Sequence, residues 1–202
     1  MNFSSLAKKV MAFKKTEKYK EVKRRLKDFD FSSKHNKMWF SELCFCLLTA
    51  NASAESGIRV QKALGLSVCD LPQKKLSKRL KELKYRFPNK RAEYIHEARK
   101  CLNAGDIISK MPSKQARELL VDNIKGLGMK EASHFLRNTG RTDVAIIDRH
   151  ILRSMGYRVE SINKKKYKEL ELKLAQLARL TDTTLAELDL ILWAMQTGKV
   201  LK

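Results

Sequence analysis

The sequence contains few of the residues that interrupt helices. Only 3 prolines and 8 glycines occur among its 202 residues. Between them, apolar residues recur at helical spacing almost throughout the chain, which leaves little room for a sheet. The sequence therefore predicts an all-α protein.

Long apolar runs and paired cysteines are also lacking. No stretch has the length of a membrane span, and the N-terminus MNFSSLAKKV has no apolar centre typical of a signal peptide. We therefore expect an intracellular protein, in the cytoplasm or nucleoid, that does not bind membranes. The cysteines have no metal-ligand spacing, and we interpret them as small buried hydrophobes. They are Cys44, Cys46, Cys69 and Cys101.

Acidic residues are outnumbered by basic ones. Lysine and arginine number 43 against 22 aspartate and glutamate residues, which gives a formal net charge of +21. This surplus predicts a strong positive surface potential and a polyanionic partner. An anionic membrane would also attract the charge, but neither terminus shows a strongly amphipathic basic helix with aromatic anchors. DNA or RNA is therefore the favoured partner.

Breaks in the apolar pattern define the expected helices. Glycine after a periodic segment indicates a helix end, and proline can begin a helix at its first turn. Predicted helices cover about residues 3–27, 37–50, 54–64, a segment after Pro72, one after Pro88 that includes Ala92 to Leu102, one from Pro112 to Ile124, 164–178 and 183–196.

A glycine-containing turn at about residues 124–130 joins two of these helices. Glycine permits positive φ and a close backbone approach, and the N–H groups that begin the next helix suit a phosphate. Lys125, Gly126 and Gly128 are therefore candidate DNA-binding residues of a helix-hairpin-helix, which holds the DNA backbone without reading its sequence. An ordinary corner between two helices is the alternative.

Lys130 follows this turn on the side of its helix opposite to the apolar stripe that contains Phe135. His134 and Arg137 share the face of Lys130. A lysine at such a position is usually only solvated.

Asp148 ends the short apolar run Val144–Ile147 and precedes a further helical pattern. It is predicted to be the N-cap of that helix, where the helix dipole and backbone N–H groups favour a carboxylate. A role as a cap alone is the alternative to a functional role.

Two motifs together suggest a known family. KGLGMK at 125–130 and IDRH at 147–150 resemble the signature of helix-hairpin-helix DNA glycosylases with a catalytic lysine and aspartate. The segments ELCFCLLTANASAESGIR, RFPNKRAEYI and LDLILWAMQTGKVLK resemble the compact archaeal-type 8-oxoguanine DNA glycosylase/AP lyase family. The resemblance covers most of the chain from about Trp39 onward, but the basic N-terminal helix predicted at 3–27 and the region 160–180 match poorly.

The resemblance implies two helical lobes, one at 33–142 and one formed by 1–32 with 143–202, with the active site between them. It implies that Lys130 is the nucleophile and Asp148 the catalytic aspartate of a bifunctional glycosylase that cleaves the strand by β-elimination. A lysine amine can attack C1′ of the sugar to form a Schiff base, and an adjacent carboxylate stabilises positive charge on the sugar. No metal or cofactor is expected. The expected partner is double-stranded DNA containing 8-oxoguanine, bound by a monomer.

The flipped base requires a stacking surface and polar groups for its edges. Phe87 and Trp193 match the family's aromatic positions around the base, and core packing is the alternative for both. On the last helix, Asp189 and Gln196 lie near Trp193 by helical spacing. The family uses its C-terminal lysine, here Lys202, to distinguish 8-oxoguanine from guanine.

Two further residues are candidates for contact with the DNA around the flipped nucleotide. Asn51 is the candidate for filling the gap in the duplex, or else a helix cap. Met129 is a candidate minor-groove wedge, or else a core residue. A glycosylase for oxidised pyrimidines or mismatches and a non-catalytic helix-hairpin-helix module are the alternative functions.

Overall fold

The computed structural model describes residues 3–31, 35–50 and 52–202, apart from the side chain of Ala104. Within these ranges the chain forms α-helices and two short 3-10 helices, with no strand, which confirms the predicted all-α class. In chain order the α-helices are α1 (Phe3–Phe13), α2 (Glu17–Asp28), α3 (Asn36–Thr49), α4 (Ala54–Leu64), α5 (Gln73–Glu82), α6 (Pro88–Ala98), α7 (Ala104–Ile108), α8 (Ser113–Asn123), α9 (Met129–Asn138), α10 (Arg149–Ser154), α11 (Lys164–Leu180) and α12 (Leu185–Thr197).

Local signals explain many of these boundaries. Ser53 caps α4 by accepting a hydrogen bond from the Ser56 N–H, and Gly65 follows its last residue at φ +53°. Pro72 and Pro112 are the N-caps of α5 and α8. The helices predicted to begin near these residues are therefore confirmed.

The N-terminal segment differs from the sequence prediction, which was one helix over residues 3–27. The structure breaks it into α1 and α2. Thr16 lies between them in an extended conformation as the N-cap of α2, and its hydroxyl donates a 2.7 Å hydrogen bond to the Phe13 carbonyl. The physical reason is that threonine favours a helix start over a helix interior.

Backbone contacts divide the chain into two units, Phe31–Phe135 and Met1–Asp30 with Leu136–Lys202. We call these the hairpin unit and the terminal unit. Their boundary falls within α9. The predicted lobe 33–142 includes residues 136–142, which this division assigns to the terminal unit, and the predicted cleft between two lobes stays a prediction.

The core of the hairpin unit is built around α3, which is buried along almost its entire length from Trp39 to Thr49. Helices α4, α6 and α7 pack against it. Cys44, Cys46 and Cys69 are buried, as expected for small hydrophobes, and Cys101 is half-buried. Burial raises the pKa of the Cys44 and Cys69 thiols.

The centre of the terminal unit is α12, which packs against α1, α2, α10 and α11. Its residues Leu185 to Leu192 are all buried. Gly198, at φ +72°, ends this helix. The unit therefore combines segments from both ends of the chain around one helix.

Candidate functional site

The turn between α8 and α9 is a glycine-containing hairpin in the hairpin unit. Gly126 has φ +86°, and a Cβ added there would lie 2.4 Å from Cδ2 of Tyr94. Of the two predicted hairpin glycines, Gly126 has the positive φ and Gly128 does not. Leu127 between them is buried and anchors the turn in the core. The backbone therefore approaches the Tyr94 ring where a larger residue would collide with it.

Lys125, predicted to bind DNA, makes contacts with α6. Its Nζ lies 3.1 Å from Oε1 of Glu93 and 3.3 Å from Oε1 of Glu97, and it is 5.8 Å from the centre of the Tyr94 ring. The hydrogen bonds from Lys125 to Glu93 and then to Glu97 raise the lysine pKa. Hydrogen bonds from Lys90 and then from Lys125 lower the pKa of Glu93. Lys125 thus joins the hairpin to α6, and its contact with DNA stays a prediction.

Lys130 lies in the first turn of α9. Its side chain is 32% exposed, and Nζ lies 3.4 Å from Oε1 of Glu131. The predicted apolar stripe is confirmed because Ala132, Phe135 and Leu136 are all buried. Lys130 is therefore held on a helix with a firmly packed inner face.

The two residues expected to share the polar face of Lys130 are not at the surface. His134 is buried, with its ring packed edge-on against Phe45 at 5.4 Å. Arg137 is buried in the terminal unit, where its guanidinium lies 3.0 Å from Oδ2 of Asp189 and 4.8 Å from the centre of the Phe29 ring. His134 is therefore buried by packing against the core, and Arg137 is buried together with its counter-ion Asp189.

Asp148 is the N-cap of α10, as predicted. Its Oδ1 accepts hydrogen bonds from the N–H groups of His150, at 2.8 Å, and Ile151, at 2.9 Å. The side chain is half-buried. Within the described part of the chain, Oδ1 is the oxygen that makes both of these hydrogen bonds.

Trp193 lies on α12 of the terminal unit, a helix that packs against α10. The His150 ring, two residues after Asp148, packs edge-on against the Trp193 ring with 6.2 Å between centres. Trp193 is half-buried rather than enclosed in the core. The structure thus links Trp193 to the first turn of α10, the helix that Asp148 caps, through a histidine that was not predicted from the sequence.

Phe87 lies before α6 in the hairpin unit and is not a core residue. Its side chain is 51% exposed, and its backbone is left-handed at φ +57°. A bulky residue with positive φ is uncommon and indicates local strain that the surroundings maintain. The guanidinium of Arg86 lies 4.6 Å from the centre of the Phe87 ring. An aromatic face is therefore held at the surface.

The other predicted site residues have different surroundings. Asp189, which was predicted to recognise the base, is buried and forms an ion pair with Arg137. This contact indicates a structural role. Gln196 is exposed, whereas Lys202 and Met129 are half-buried. Asn51 lies outside the described residues. The roles of these residues in DNA binding or base recognition stay predictions.

Tyr167 and Glu171, which contact the segment before Asp148, were not predicted from the sequence. Both are buried on α11, and they hydrogen-bond to the backbone of Ala145 and Ile147. A glutamate within a buried helical stripe, between Leu170 and Leu174, was the signal that could have identified this contact.

Two features are absent from the residues that the structure describes. Those residues contain no group of three or more histidine, cysteine, aspartate or glutamate side chains that could hold a metal ion. Among the same residues, no helix has the length and apolar character needed to cross a membrane.

The chain is similar to proteins of one family. A family model described as 8-oxoguanine DNA glycosylase matches residues 22–183. The chain is 48% identical to the 8-oxoguanine DNA glycosylase/AP lyase of Methanocaldococcus jannaschii, over 98% of this chain and 99% of that protein. It is 44% identical to the protein of the same name from Korarchaeum cryptofilum, over 100% of both chains.

A solved structure shows the same similarity. The crystal structure of the M. jannaschii 8-oxoguanine glycosylase/lyase in complex with a 15mer DNA containing 8-oxoguanine has a TM-score of 0.95 and 47% sequence identity. The match covers 98% of this chain and 100% of that chain.

Proposed function

Because the chain belongs to the 8-oxoguanine DNA glycosylase family, we propose that Lys130 and Asp148 carry out its reaction on DNA. The chain is an 8-oxoguanine DNA glycosylase and AP lyase of base-excision repair. The observation that carries the proposal is the pair of local geometries: a lysine in the first turn after a glycine hairpin, and an aspartate whose Oδ1 caps a helix.

Lys130 is the proposed nucleophile. Its uncharged amine attacks C1′ of the damaged nucleotide, and the bond from C1′ to the base breaks with its electron pair leaving on 8-oxoguanine. Loss of the amine proton and opening of the sugar ring leave a Schiff base between Lys130 and C1′. Removal of a C2′ proton then expels the 3′-phosphate by β-elimination, and hydrolysis of the imine releases the lysine.

Asp148 is the proposed electrostatic partner in these steps. While Oδ1 accepts the two N–H groups that begin α10, the charge on the carboxylate stabilises the positive charge that develops on the sugar as the base departs. Oδ2 is left to accept and return protons during imine formation and elimination. This role requires Asp148 to approach Lys130 across the cleft that the sequence analysis expected.

The aromatic and terminal residues are proposed to recognise the flipped base. Phe87 presents an exposed ring face and Trp193 a half-buried one, and both suit stacking on a purine. Lys202, half-buried after the last helix, is the candidate that recognises the edge of 8-oxoguanine, whose N7–H is a proton that guanine lacks. Asp189 and Gln196 are weaker candidates because one is buried beside Arg137 and the other is exposed.

The duplex around the lesion is proposed to rest on the hairpin. Gly126 and Gly128 allow the backbone N–H groups at the start of α9 to approach a phosphate, with Lys125 and Met129 as neighbouring contacts. Asn51, outside the described residues, stays the candidate for filling the gap left by the flipped nucleotide. The +21 net charge supports binding to double-stranded DNA inside the cell. We propose that the protein acts there as a monomer.

Substitution of Lys130 tests the proposed chemistry. Lys130→Gln is expected to abolish both 8-oxoguanine release and the adduct that borohydride traps on DNA, because no amine remains to form the Schiff base. Asp148→Asn retains an oxygen that can cap α10 and is expected to slow excision severely by removing the charge. Single-turnover excision from an 8-oxoguanine duplex measures both effects, and binding to the same duplex is expected to change little.

Lys62→Gln is the matched control, because it removes one exposed lysine charge from α4 in the same unit. It is expected to retain normal excision and trapping. Near-normal strand cleavage by the Lys130 variant would refute the assignment of the nucleophile.

A further inference from the structure

The four residues before Asp148 form a buried segment without regular secondary structure. Val144, Ala145, Ile146 and Ile147 are all at most 5% exposed, and none belongs to a helix or a strand. Buried backbone N–H and C=O groups need hydrogen-bond partners, because an unpaired group costs about 1–3 kcal/mol. Because no neighbouring strand is present in the described part of the chain, other groups must supply the hydrogen-bond partners of this segment.

Two side chains of α11 supply these partners. The hydroxyl of Tyr167 donates to the Ala145 carbonyl at 2.7 Å and accepts from the Ile147 N–H at 3.2 Å. Oε1 of Glu171 accepts from the Ala145 N–H at 3.0 Å. Tyr167 and Glu171 are four residues apart, so they project from one face of the helix.

The pattern of these bonds resembles one edge of a β-ladder. In an extended chain the N–H and C=O of one residue and the N–H of the residue two positions later point to the same side. Tyr167 and Glu171 pair with this set of groups at Ala145 and Ile147. The two side chains therefore hold the segment against α11 at both Ala145 and Ile147.

This segment leads directly to the carboxylate. Ile147 precedes Asp148, whose own N–H donates to the Ile146 carbonyl at 3.2 Å and whose Oδ1 caps α10. Displacement of the Ile147 peptide would therefore displace the Asp148 backbone and the start of α10 together. A shift of about 1 Å in a reacting group can reduce a rate by about 100-fold.

We propose that Tyr167 and Glu171 are positioning residues for Asp148, through their hydrogen bonds to Ala145 and Ile147. This inference rests on the proposed function of Asp148. Neither side chain needs to touch the substrate. Their contribution is to the rate of the chemical step, which depends on the placement of the carboxylate, rather than to the affinity for DNA.

Removal of the Tyr167 hydroxyl is the first test. Tyr167→Phe keeps the ring in the core but leaves the Ala145 carbonyl and the Ile147 N–H without this partner. Single-turnover excision of 8-oxoguanine is expected to slow by about 10- to 100-fold, while the Kd for the 8-oxoguanine duplex changes by less than about threefold. The control Tyr157→Phe removes the hydroxyl that accepts from Lys173 in the same unit and should leave both values unchanged.

Glu171 supplies a second test with a built-in rescue. Glu171→Gln retains an oxygen that can accept from the Ala145 N–H and is expected to keep the excision rate within about threefold, whereas Glu171→Leu is expected to lose about 10-fold or more. All rates are measured well below the unfolding temperature of each variant. If Tyr167→Phe does not fold, the difference between the two Glu171 variants decides the question.

Asp148→Asn separates this inference from the proposed function. Normal excision by Asp148→Asn would refute the catalytic role of Asp148. It would also refute the positioning role of Tyr167 and Glu171, which depends on it. Slow excision by Asp148→Asn together with normal excision by Tyr167→Phe and Glu171→Leu would overturn the positioning role alone. Equal slowing by Glu171→Gln and Glu171→Leu would also contradict the positioning role. The excision rate would then not depend on the hydrogen bond from the Ala145 N–H to residue 171.

Discussion

The hairpin unit is one continuous stretch, Phe31–Phe135, whereas the terminal unit joins Met1–Asp30 to Leu136–Lys202. In the hairpin unit, Lys130 owes its place in the first turn of α9 to backbone geometry: a glycine turn, and a helix that begins at Met129. In the terminal unit, Asp148 follows a segment that is held by side chains from α11, about 20 residues further along the chain.

Polar contacts between distant residues hold the terminal unit together. Nζ of Lys14 donates to the carbonyl groups of Thr181 at 2.8 Å and Asp182 at 3.0 Å, near the end of α11. The Tyr19 hydroxyl donates to Glu187, and burial followed by this carboxylate raises the pKa of Tyr19 to about 12. The N-terminal helices are thereby attached to α11 and α12.

This difference shows that the two proposed catalytic residues, Lys130 and Asp148, are positioned by different means. Local backbone geometry depends on the residues of the turn itself. Side-chain contacts between distant segments depend on the whole unit being folded, so their loss affects stability and position together. Substitutions in the two units should therefore have different consequences.

The largest effect is expected from breaking the buried ion pair of the terminal unit. Arg137→Met should lower the free energy of unfolding by about 3–5 kcal/mol, because it leaves the Asp189 carboxylate buried without its guanidinium. The double variant with Asp189→Leu should recover most of this loss, since replacement of both charges by apolar groups is often neutral. Chemical denaturation measures both values.

Lys20→Met is the control for this experiment. It removes an exposed pair with Glu17 in the same unit and should change the free energy of unfolding by less than about 0.5 kcal/mol. Arg137→Met could instead lower the free energy of unfolding as little as the control does. That result would show that this long-range polar contact does not stabilise the terminal unit.

A smaller effect is expected from the hairpin glycine. Gly126→Ala should lower the free energy of unfolding by about 1–3 kcal/mol, because φ is +86° and the new Cβ would collide with the Tyr94 ring. It should also weaken binding to undamaged duplex DNA by displacing the start of α9 from the phosphate. Denaturation and a binding titration at fixed salt measure the two effects.

Gly156→Ala is the matched control for the hairpin. Gly156 has φ +72°, and an added Cβ there would meet nothing within 4 Å, so this variant carries the backbone strain without the collision. DNA binding should stay normal in Gly156→Ala. Equal loss of DNA affinity in both glycine variants would contradict the role of the hairpin.

The smallest effect on stability is expected at Lys202. Its deletion should change the free energy of unfolding by less than about 0.5 kcal/mol, yet reduce the preference for 8-oxoguanine over guanine by about 10-fold or more. Lys202→Ala keeps the backbone of this residue and removes only the side-chain amine, so it separates the effect of the amine from that of the backbone. Single-turnover excision on both substrates measures the preference, and unchanged selectivity in the deletion variant would exclude Lys202 from recognition.

Sequence patterns predicted those features that depend on near neighbours. The bounds of α4, the start of α9 after the hairpin and the cap at Asp148 follow from capping residues, glycine and helical spacing within a few positions. The break at Thr16 was missed because no glycine or proline marks it in the sequence. Such a break depends on the conformation of one residue, whereas helices are predicted from the spacing of many apolar residues.

The polar residues of the core were predicted poorly for a different reason. Helical spacing grouped His134 and Arg137 with Lys130, but packing against Phe45 and pairing with Asp189 bury them. In the same way, Tyr167 gave no signal before its contact with Ala145 was visible. A polar side chain is stable in a core only when a partner is present, and partners are brought together by folding.

The sequence by itself determined the all-α class, the glycine hairpin before Lys130, the cap at Asp148 and the family resemblance, because each depends on residue types at short, fixed spacing. Only the tertiary structure decided that Arg137 pairs with Asp189 and that Tyr167 and Glu171 hold the segment before Asp148. These contacts join residues 20 to 52 positions apart. No local pattern encodes such pairs, since their free energy arises from the shared burial of two segments that meet only in the folded unit.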